Sequence, residues 1–361
     1  VSNPNPRELL LVDDDEFSPL LLITREPVIN DFLARLGAAR RDIIDGSDER
    51  YVLRFSRAEI ARVQQAFARV IRRGEATLHR LCELFSDSLL DGDVALQSVV
   101  IGEVEATGQR FKLSEAIRPE DLYVQTDLQL GTRQLDRLQI ETRQGLSRAR
   151  LISNSVEYQP LEKNRFSVHK MISRIKAEEE LWNKVCDELF HLDQVVRRDK
   201  ELRRLGRFVK DVFGIKIIVE EPNAAWELLD FIKQLEWSDE ELAHRGIEPA
   251  SDEVRSLRIV ELKDYLSDRK KSGWGALKAV LQWAGKTFEL QIQTANAYHR
   301  ELLYLTRESH AGHKQRREAL RRKVGEQIPL FAFYIDLLQW LFVEEEGAPP
   351  EHENIEVILE D

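Results

Sequence analysis

Two carboxylates in this 361-residue chain are attached to runs of residues that belong in strands. Asp211 precedes "VFGIKIIV", and Glu289 lies inside "KTFELQIQT". A carboxylate in such a context is costly to bury unless it is paired or bound to a cation. If the two strands are neighbours, Asp211 and Glu289 can share one Mg²⁺, a hard cation suited to carboxylate and phosphate oxygens. Between them, "LKDYLSDRKKSGWGALKAVL" gathers Lys263, Arg269, Lys270, Lys271 and Lys278 round a Gly-Trp-Gly turn, with only Asp264 and Asp268 as local acids. In a chain of net charge −11, such a cluster suits a polyphosphate. Trp274, flanked by Gly273 and Gly275, is placed to stack on a base, a contact worth about 1–3 kcal/mol. Each feature alone has a plainer reading: a lone strand Glu usually faces solvent, a Lys/Arg cluster is usually a solvated surface, and an isolated Trp is usually core. Their order along the chain favours a site.

The elements that must position these residues follow from periodicity. "DVFGIKIIVEE", bounded by a Gly and by Pro222, predicts a buried strand. Three more candidates follow at 256–262, 276–284 and 286–294, the last two joined at Gly285-Lys286 as an antiparallel hairpin. Upstream, Ile60, Val63, Phe67, Val70 and Ile71 recur at helical spacing, so 57–90 reads as one amphipathic helix or two, ended by Asp91-Gly92-Asp93. A second helical stretch is expected from about 119 to 153, with Leu128, Leu130, Leu135 and Leu138 on its apolar face. Helical, heavily charged segments are expected over 178–210 and after Ala295, and a final apolar helix should end near Val343. The acidic, Pro-containing tail 344–361 reads as solvated.

Composition narrows the classes. Hydrophobic residues make up 42% and charged residues 32%, the balance of a soluble globular protein. The apolar runs fall short of a spanning helix and no leader pattern opens the chain, which predicts a cytoplasmic location with no membrane partner. Cys82 and Cys186 are the only cysteines and form no CxxC, so neither a disulfide framework nor a zinc site is expected. The acidic balance argues against non-specific nucleic-acid binding by the whole chain.

The order of Asp211 with "GIKIIV", then "LKDYLSDRKKSGWGALKAV", then "KTFELQIQT" resembles the synthetase domain of the RelA/SpoT alarmone synthetases. Its typical segments run D-x-x-G-x-R-I-I, F-K-D-Y-I-x-x-P-K-x-N-G-Y-x-S-L-H and E-V-Q-I-R-T. The likeness covers roughly residues 155 to 315. It implies an α/β (α+β) fold, a nucleotidyltransferase-like mixed sheet flanked by helices. The chain then divides into a mainly helical N-terminal region (1–154), a synthetase-like domain with C-terminal helices (155–343) and the tail (344–361). The implied reaction moves pyrophosphate from ATP to the 3′-hydroxyl of GDP, GTP or another purine nucleotide, as in ppGpp synthesis in the stringent response.

The resemblance implies roles residue by residue. Asp211 and Glu289 match the Mg²⁺-binding aspartate and the glutamate that also activates the attacking hydroxyl, and Trp274 replaces the tyrosine that stacks on the acceptor guanine. Lys263, Lys270, Lys278 and Gln291 fall in the nucleotide- and phosphate-holding segments. "LEKNRFSVHK" resembles an upstream R-x-K-x-x-x-S stretch, with Lys163 and Ser167 in register but Leu161 in place of the leading arginine. Ser272 stands for an asparagine, Lys278 for the histidine of S-L-H, and Gln293 for the arginine of Q-I-R-T. These departures keep two alternatives open. One is a relative that pyrophosphorylates the 3′ end of tRNA, for which the basic helix 313–323 is suited. The other is a nucleotide-binding or interaction module without turnover. The N-terminal half offers room for a regulatory partner.

Overall fold

The computed structural model describes residues 26–46, 50–142, 145–175, 213–248, 252–267, 274–305, 329–342 and 348–361. The chain opens with α1 (Pro27–Asp45), whose Pro27 has the fixed φ of a first helical position, and β1 (Tyr51–Ser56). Helix α2 (Arg57–Leu89) starts where the Ser56 hydroxyl accepts the Glu59 N–H at 3.2 Å. It is one helix, with Ile60, Val63, Phe67, Val70, Ile71, Leu78 and Phe85 on its buried stripe. Asp91 and Gly92 at positive φ turn the chain out of it.

Next come β2 (Val94–Val104), β3 (Arg110–Ala116), the short α3 (Asp121–Val124) and α4 (Asp127–Asp136). After them lie β4 (Ile140–Thr142), β5 (Gly145–Ser147), β6 (Ala149–Pro160) and β7 (Val168–Ile175). The helix expected from 119 to 153 is therefore confined to α3 and α4. Thr126 and Gln129 form a capping box at the start of α4, and the chain after it is extended. From Ala149 the chain is a strand paired on both sides, with β2 and with β7. The division expected between 154 and 155 falls inside β6.

The second half contains β8 (Phe213–Val219), α5 (Pro222–Lys233), α6 (Asp239–His244), α7 (Asp252–Arg255), β9 (Arg258–Asp264), β10 (Leu277–Trp283) and β11 (Lys286–Thr294). It ends with α8 (Ala295–Leu305), α9 (Phe331–Phe342) and β12 (Ile355–Glu360). The β10–β11 hairpin turns on Ala284 and Gly285, both at positive φ. The tail is not wholly solvated: Ile355, Val357 and Leu359 alternate, and β12 pairs in parallel with β1, each residue opposite the one 304 positions upstream.

One eight-stranded mixed sheet runs in the order β3-β2-β6-β7-β8-β11-β10-β9. Every pair is antiparallel except β8–β11, which is parallel. One face packs on α2 and α5, and α1 and α9 extend the same core. On the other face α8 covers a small cluster of Ile172, Ile218 and Tyr298. Among the described residues no helix is long and apolar enough to cross a membrane.

Helix α2 approaches the sheet closely at Gly74, which faces the ring of Phe213 so that a Cβ would lie 2.1 Å from Cζ. In an open helix interior Gly→Ala stabilises by about 1 kcal/mol. Here Gly74→Ala should destabilise by about 1–3 kcal/mol through overpacking. Gly74→Ala with Phe213→Leu should recover part of the loss in urea unfolding, and a Gly74→Ala protein as stable as wild type would remove this contact from the core.

Candidate functional site

Alternation along β8, β10 and β11 sends two chemistries to opposite faces of the sheet. Ile215, Ile217, Leu290, Ile292, Leu277, Ala279 and Leu281 are buried in the main core. The residues between them, Gly214 and Lys216, Glu289, Gln291 and Gln293, and Lys278 and Val280, face the other way. Register aligns them in rows. Glu289 lies between Gly214 of β8 and Val280 of β10, with Arg174 beyond Gly214 and Glu261 beyond Val280. In the adjacent row, Gln291 lies between Lys216 and Lys278, with Lys263 next on β9. Lys263 is ion-paired to Glu261 within its own strand.

Glu289 is only 3% exposed, not the solvent-facing carboxylate that a lone strand Glu usually is. The Lys278 ammonium makes an ion pair with Oε2, and Gln291 Nε2 donates to Oε1. The Lys278 contact is one of charge: Oε2 lacks an aligned hydrogen-bond donor among the described residues. A carboxylate so buried is stable only beside a compensating cation. Lys278, on the facing position one register step away, supplies it in this arrangement.

A second polar centre lies beside the first. Glu301 of α8 accepts from Lys216 Nζ at 2.9 Å, from Gln293 Nε2 at 2.8 Å and from the Trp274 indole N–H at 3.1 Å. Burial alone would raise the Glu301 carboxyl, but the Lys216 charge and these three donors outweigh it and hold the group below its ordinary range. Lys216 is also shifted down, because its burial outweighs the attraction of Glu301. Trp274 is half-buried and tilted against Tyr265, with ring centroids 5.6 Å apart.

Of the residues singled out from sequence, Glu289, Gln291, Lys263 and Lys278 share two adjacent rows, and Trp274 is tied to them through Glu301 and Gln293. Asp211 and Lys270 lie outside the described residues, as do the expected helices at 178–210 and 313–323. The strands assigned to the two carboxylates are neighbours: β8 begins two residues after Asp211, and its Gly214 is opposite Glu289. Lys163 and Ser167 are exposed in the β6–β7 connection, at the Val219 end of β8. That is five residues, roughly 16 Å, along the strand from the Glu289 row.

Arg174, Lys216 and Glu301 escaped the sequence reading. Arg174 is exposed beside Gly214 in the Glu289 row, and its charge reaches Lys216. A usable signal existed: "SRIK" repeats the R-x-K spacing at Arg174 and Lys176 in the sequence, and Arg174 lies on β7, the strand next to β8. Lys216 occupies the arginine position of D-x-x-G-x-R-I-I and was legible as a cation. Glu301 carried no local signal.

No protein-family model matches the chain, and no curated protein matches it. Among solved structures, it is similar to small alarmone synthetase 2 of Bacillus subtilis, with 19% identity, a TM-score of 0.25, and coverage of 48% of this chain and 74% of that one. It is likewise similar to B. subtilis small alarmone synthetase 1 bound to its product pppGpp, with 13% identity, a TM-score of 0.23, and coverage of 48% and 73%. A GTP pyrophosphokinase family protein from Streptococcus pneumoniae shows 15% identity, a TM-score of 0.24, and coverage of 48% and 72%. With TM-scores at this level, the functional reading rests on the residues of the site.

The Glu301 centre makes a stability prediction with a definite pH sign. Because the folded carboxyl titrates below its ordinary value, its contribution is complete above about pH 4.3 and is lost as pH falls through the depressed folded value. Glu301→Gln leaves Lys216 largely buried without a counter-charge and should cost about 1–3 kcal/mol at neutral pH. Melting temperatures followed from pH 6 down to about pH 3 should fall less steeply in Glu301→Gln than in wild type; parallel profiles would show that Glu301 contributes no charge-dependent stability.

Proposed function

We propose that the chain is a pyrophosphokinase-like nucleotidyltransferase that moves pyrophosphate from ATP to the 3′-hydroxyl of a guanosine or other purine nucleotide. The observation that carries this reading is a carboxylate, Glu289, buried in mid-sheet with the cations Lys278, Lys216, Lys263 and Arg174 in its own and the adjacent row. A structural core gains nothing from that arrangement, whereas a phosphoryl-transfer site needs both signs within one step of each other.

In this reading Glu289 Oε2 takes the proton of the acceptor hydroxyl, since it is the carboxylate oxygen without an aligned donor. The acceptor oxygen bonds to the β-phosphorus of ATP, the bond from that phosphorus to the α,β-bridging oxygen breaks, and AMP leaves. Arg174, Lys263 and Lys278 hold the phosphates, and Trp274 stacks on a base while its N–H keeps the bond to Glu301. Lys163 and Ser167, at the far end of β7, are assigned to the outer part of the ATP site. The setting is the cytoplasm, where both nucleotides are abundant.

Mg²⁺ fits the donor set, because Glu289 offers a carboxylate oxygen with no hydrogen bond among the described residues, and Asp211 precedes β8 by two residues in the sequence. Asp211 and Glu289 would hold the ion, which supplies charge compensation for the phosphates. Lys278 then has to leave Oε2 and turn to the phosphates.

The Lys278–Glu289 ion pair also favours a second reading, in which an internal ammonium permanently replaces the metal and the chain binds nucleotides without turnover. Purified protein incubated with γ-labelled ATP and, in separate reactions, GDP, GTP, ADP, AMP or deacylated tRNA distinguishes these readings. Mg²⁺-dependent label on a free nucleotide supports the proposal, label on RNA transfers the activity to the tRNA-modifying alternative, and ATP binding with no label supports the module without turnover. Glu289→Gln should lower transfer by about 10²–10⁴-fold while melting as a folded protein; unchanged transfer would remove Glu289 from the chemistry.

A further inference from the structure

The geometry points to a second metal centre, a structural site for one divalent transition-metal ion of the zinc class, formed by Glu75, His79 and Asp127 on the opposite face of the sheet from Glu289. Glu75 and His79 are four residues apart on α2 and so share one side of the helix. Asp127, the first residue of α4, faces them. One donor atom from each of the three lies within 4.8 Å of the others, and all three side chains are at most 2% exposed. His79 Nε2 is 3.0 Å from Asp127 Oδ1, and the Asp127 N–H donates to Glu75 Oε1. Asp127 Oδ2 is buried with no hydrogen-bond partner. That unpartnered oxygen is an open ligand position inside the cluster.

The chemistry fits a cation. Metal–ligand bonds of about 2.0–2.2 Å place tetrahedral donors about 3.3–3.6 Å apart, so an ion could be enclosed with shifts of an ångström or less. One imidazole and two carboxylates suit Zn²⁺, Mn²⁺ or Fe²⁺ better than Mg²⁺, and their charges balance a divalent ion. The outer partners are already built. Tyr158 OH lies 3.4 Å from His79 Nδ1, which leaves Nε2 for the ion, and Asn154, held by Ser98, donates to the Asp127 carbonyl. With no solvent-facing position, the ion would join α2, α4 and β6 and take no part in catalysis. A search for Cys and His clusters misses this site because two of its three ligands are carboxylates.

The test uses the full chain, purified without a metal-binding tag or chelator. Elemental analysis should find about one equivalent of Zn, Mn or Fe per chain, unchanged in Glu289→Gln. Stripping the ion should lower Tm by about 5 °C or more, and adding back Zn²⁺ should restore it. His79→Gln and Asp127→Asn should each lose the equivalent. Should both variants fail to fold, wild type refolded with Co²⁺ must show the visible d–d absorption of a bound ion, and excess Zn²⁺ must abolish it. Wild-type protein that retains no ion and melts identically with and without Zn²⁺ and Co²⁺ overturns the proposal, as does a folded His79→Gln protein that keeps its full equivalent.

Discussion

Everything on the polar face depends on the parallel pairing of β8 with β11. A parallel pair cannot be closed by a tight turn, and here the crossover carries α5, α6, α7, β9 and β10. This pairing joins the five strands that end in β8 to the three that begin with β11, and among the described residues no other strand pairing bridges them. It also sets the register that puts Gly214 opposite Glu289 and Lys216 opposite Gln291. A slip of one residue would send Glu289 into the hydrophobic core and Leu290 onto the polar face. The apolar residues on the back of both strands make that slip prohibitive, so the core fixes the site.

Within that frame, charge is balanced locally. Glu289 with Lys278, Glu261 with Lys263 and Glu301 with Lys216 form three ion pairs on one face. Arg174 has no ion pair among the described residues. On the proposed function, a phosphate competes with carboxylates for most of the lysines it meets. Exchange of one anion for another lets such a site stay folded when empty, because no buried cation is left alone. Gln293 belongs to the same logic. An arginine there would compete with Lys216 for Glu301, whereas the neutral amide adds a donor without a second charge.

The sequence showed the parts of the fold that local pattern encodes. The α2 stripe, the β-branched run of β8 and the β10–β11 hairpin carry their periods and turn residues in a few consecutive positions, and each formed where expected. Pairing between distant segments was not legible. β12 reads as an acidic tail because its Ile355, Val357 and Leu359 gain meaning only beside β1. β6 reads as helix because its apolar residues follow those of α4 without a break in composition. The site followed the same rule: Glu289, Lys278 and Lys263 lie in recognisable segments, while Glu301 enters through the packing of α8. Arg174 lies outside the segments singled out from the sequence and gains its place only through the pairing of β7 with β8.

The helical layer positions the site from behind through consecutive residues. Gly74 receives the Phe213 ring, and the next residue, Glu75, is part of the buried Glu75–His79–Asp127 cluster. Phe213 in turn precedes Gly214, which faces Glu289 across the parallel ladder. A displacement of this α2 turn therefore reaches Glu289 through one side-chain contact, one peptide unit and one backbone pairing. Interiors at crystal-like density transmit such shifts with little damping, and transfer chemistry is sensitive to misplacements of about 1 Å. The buried polar cluster stands where it can set the position of α2 along the sheet, because its hydrogen bonds to Tyr158 and Asn154 of β6 hold at a single offset where apolar packing would tolerate several. The polar contacts behind the sheet thus bear on the geometry of the carboxylate in front of it, although none of them touches a substrate.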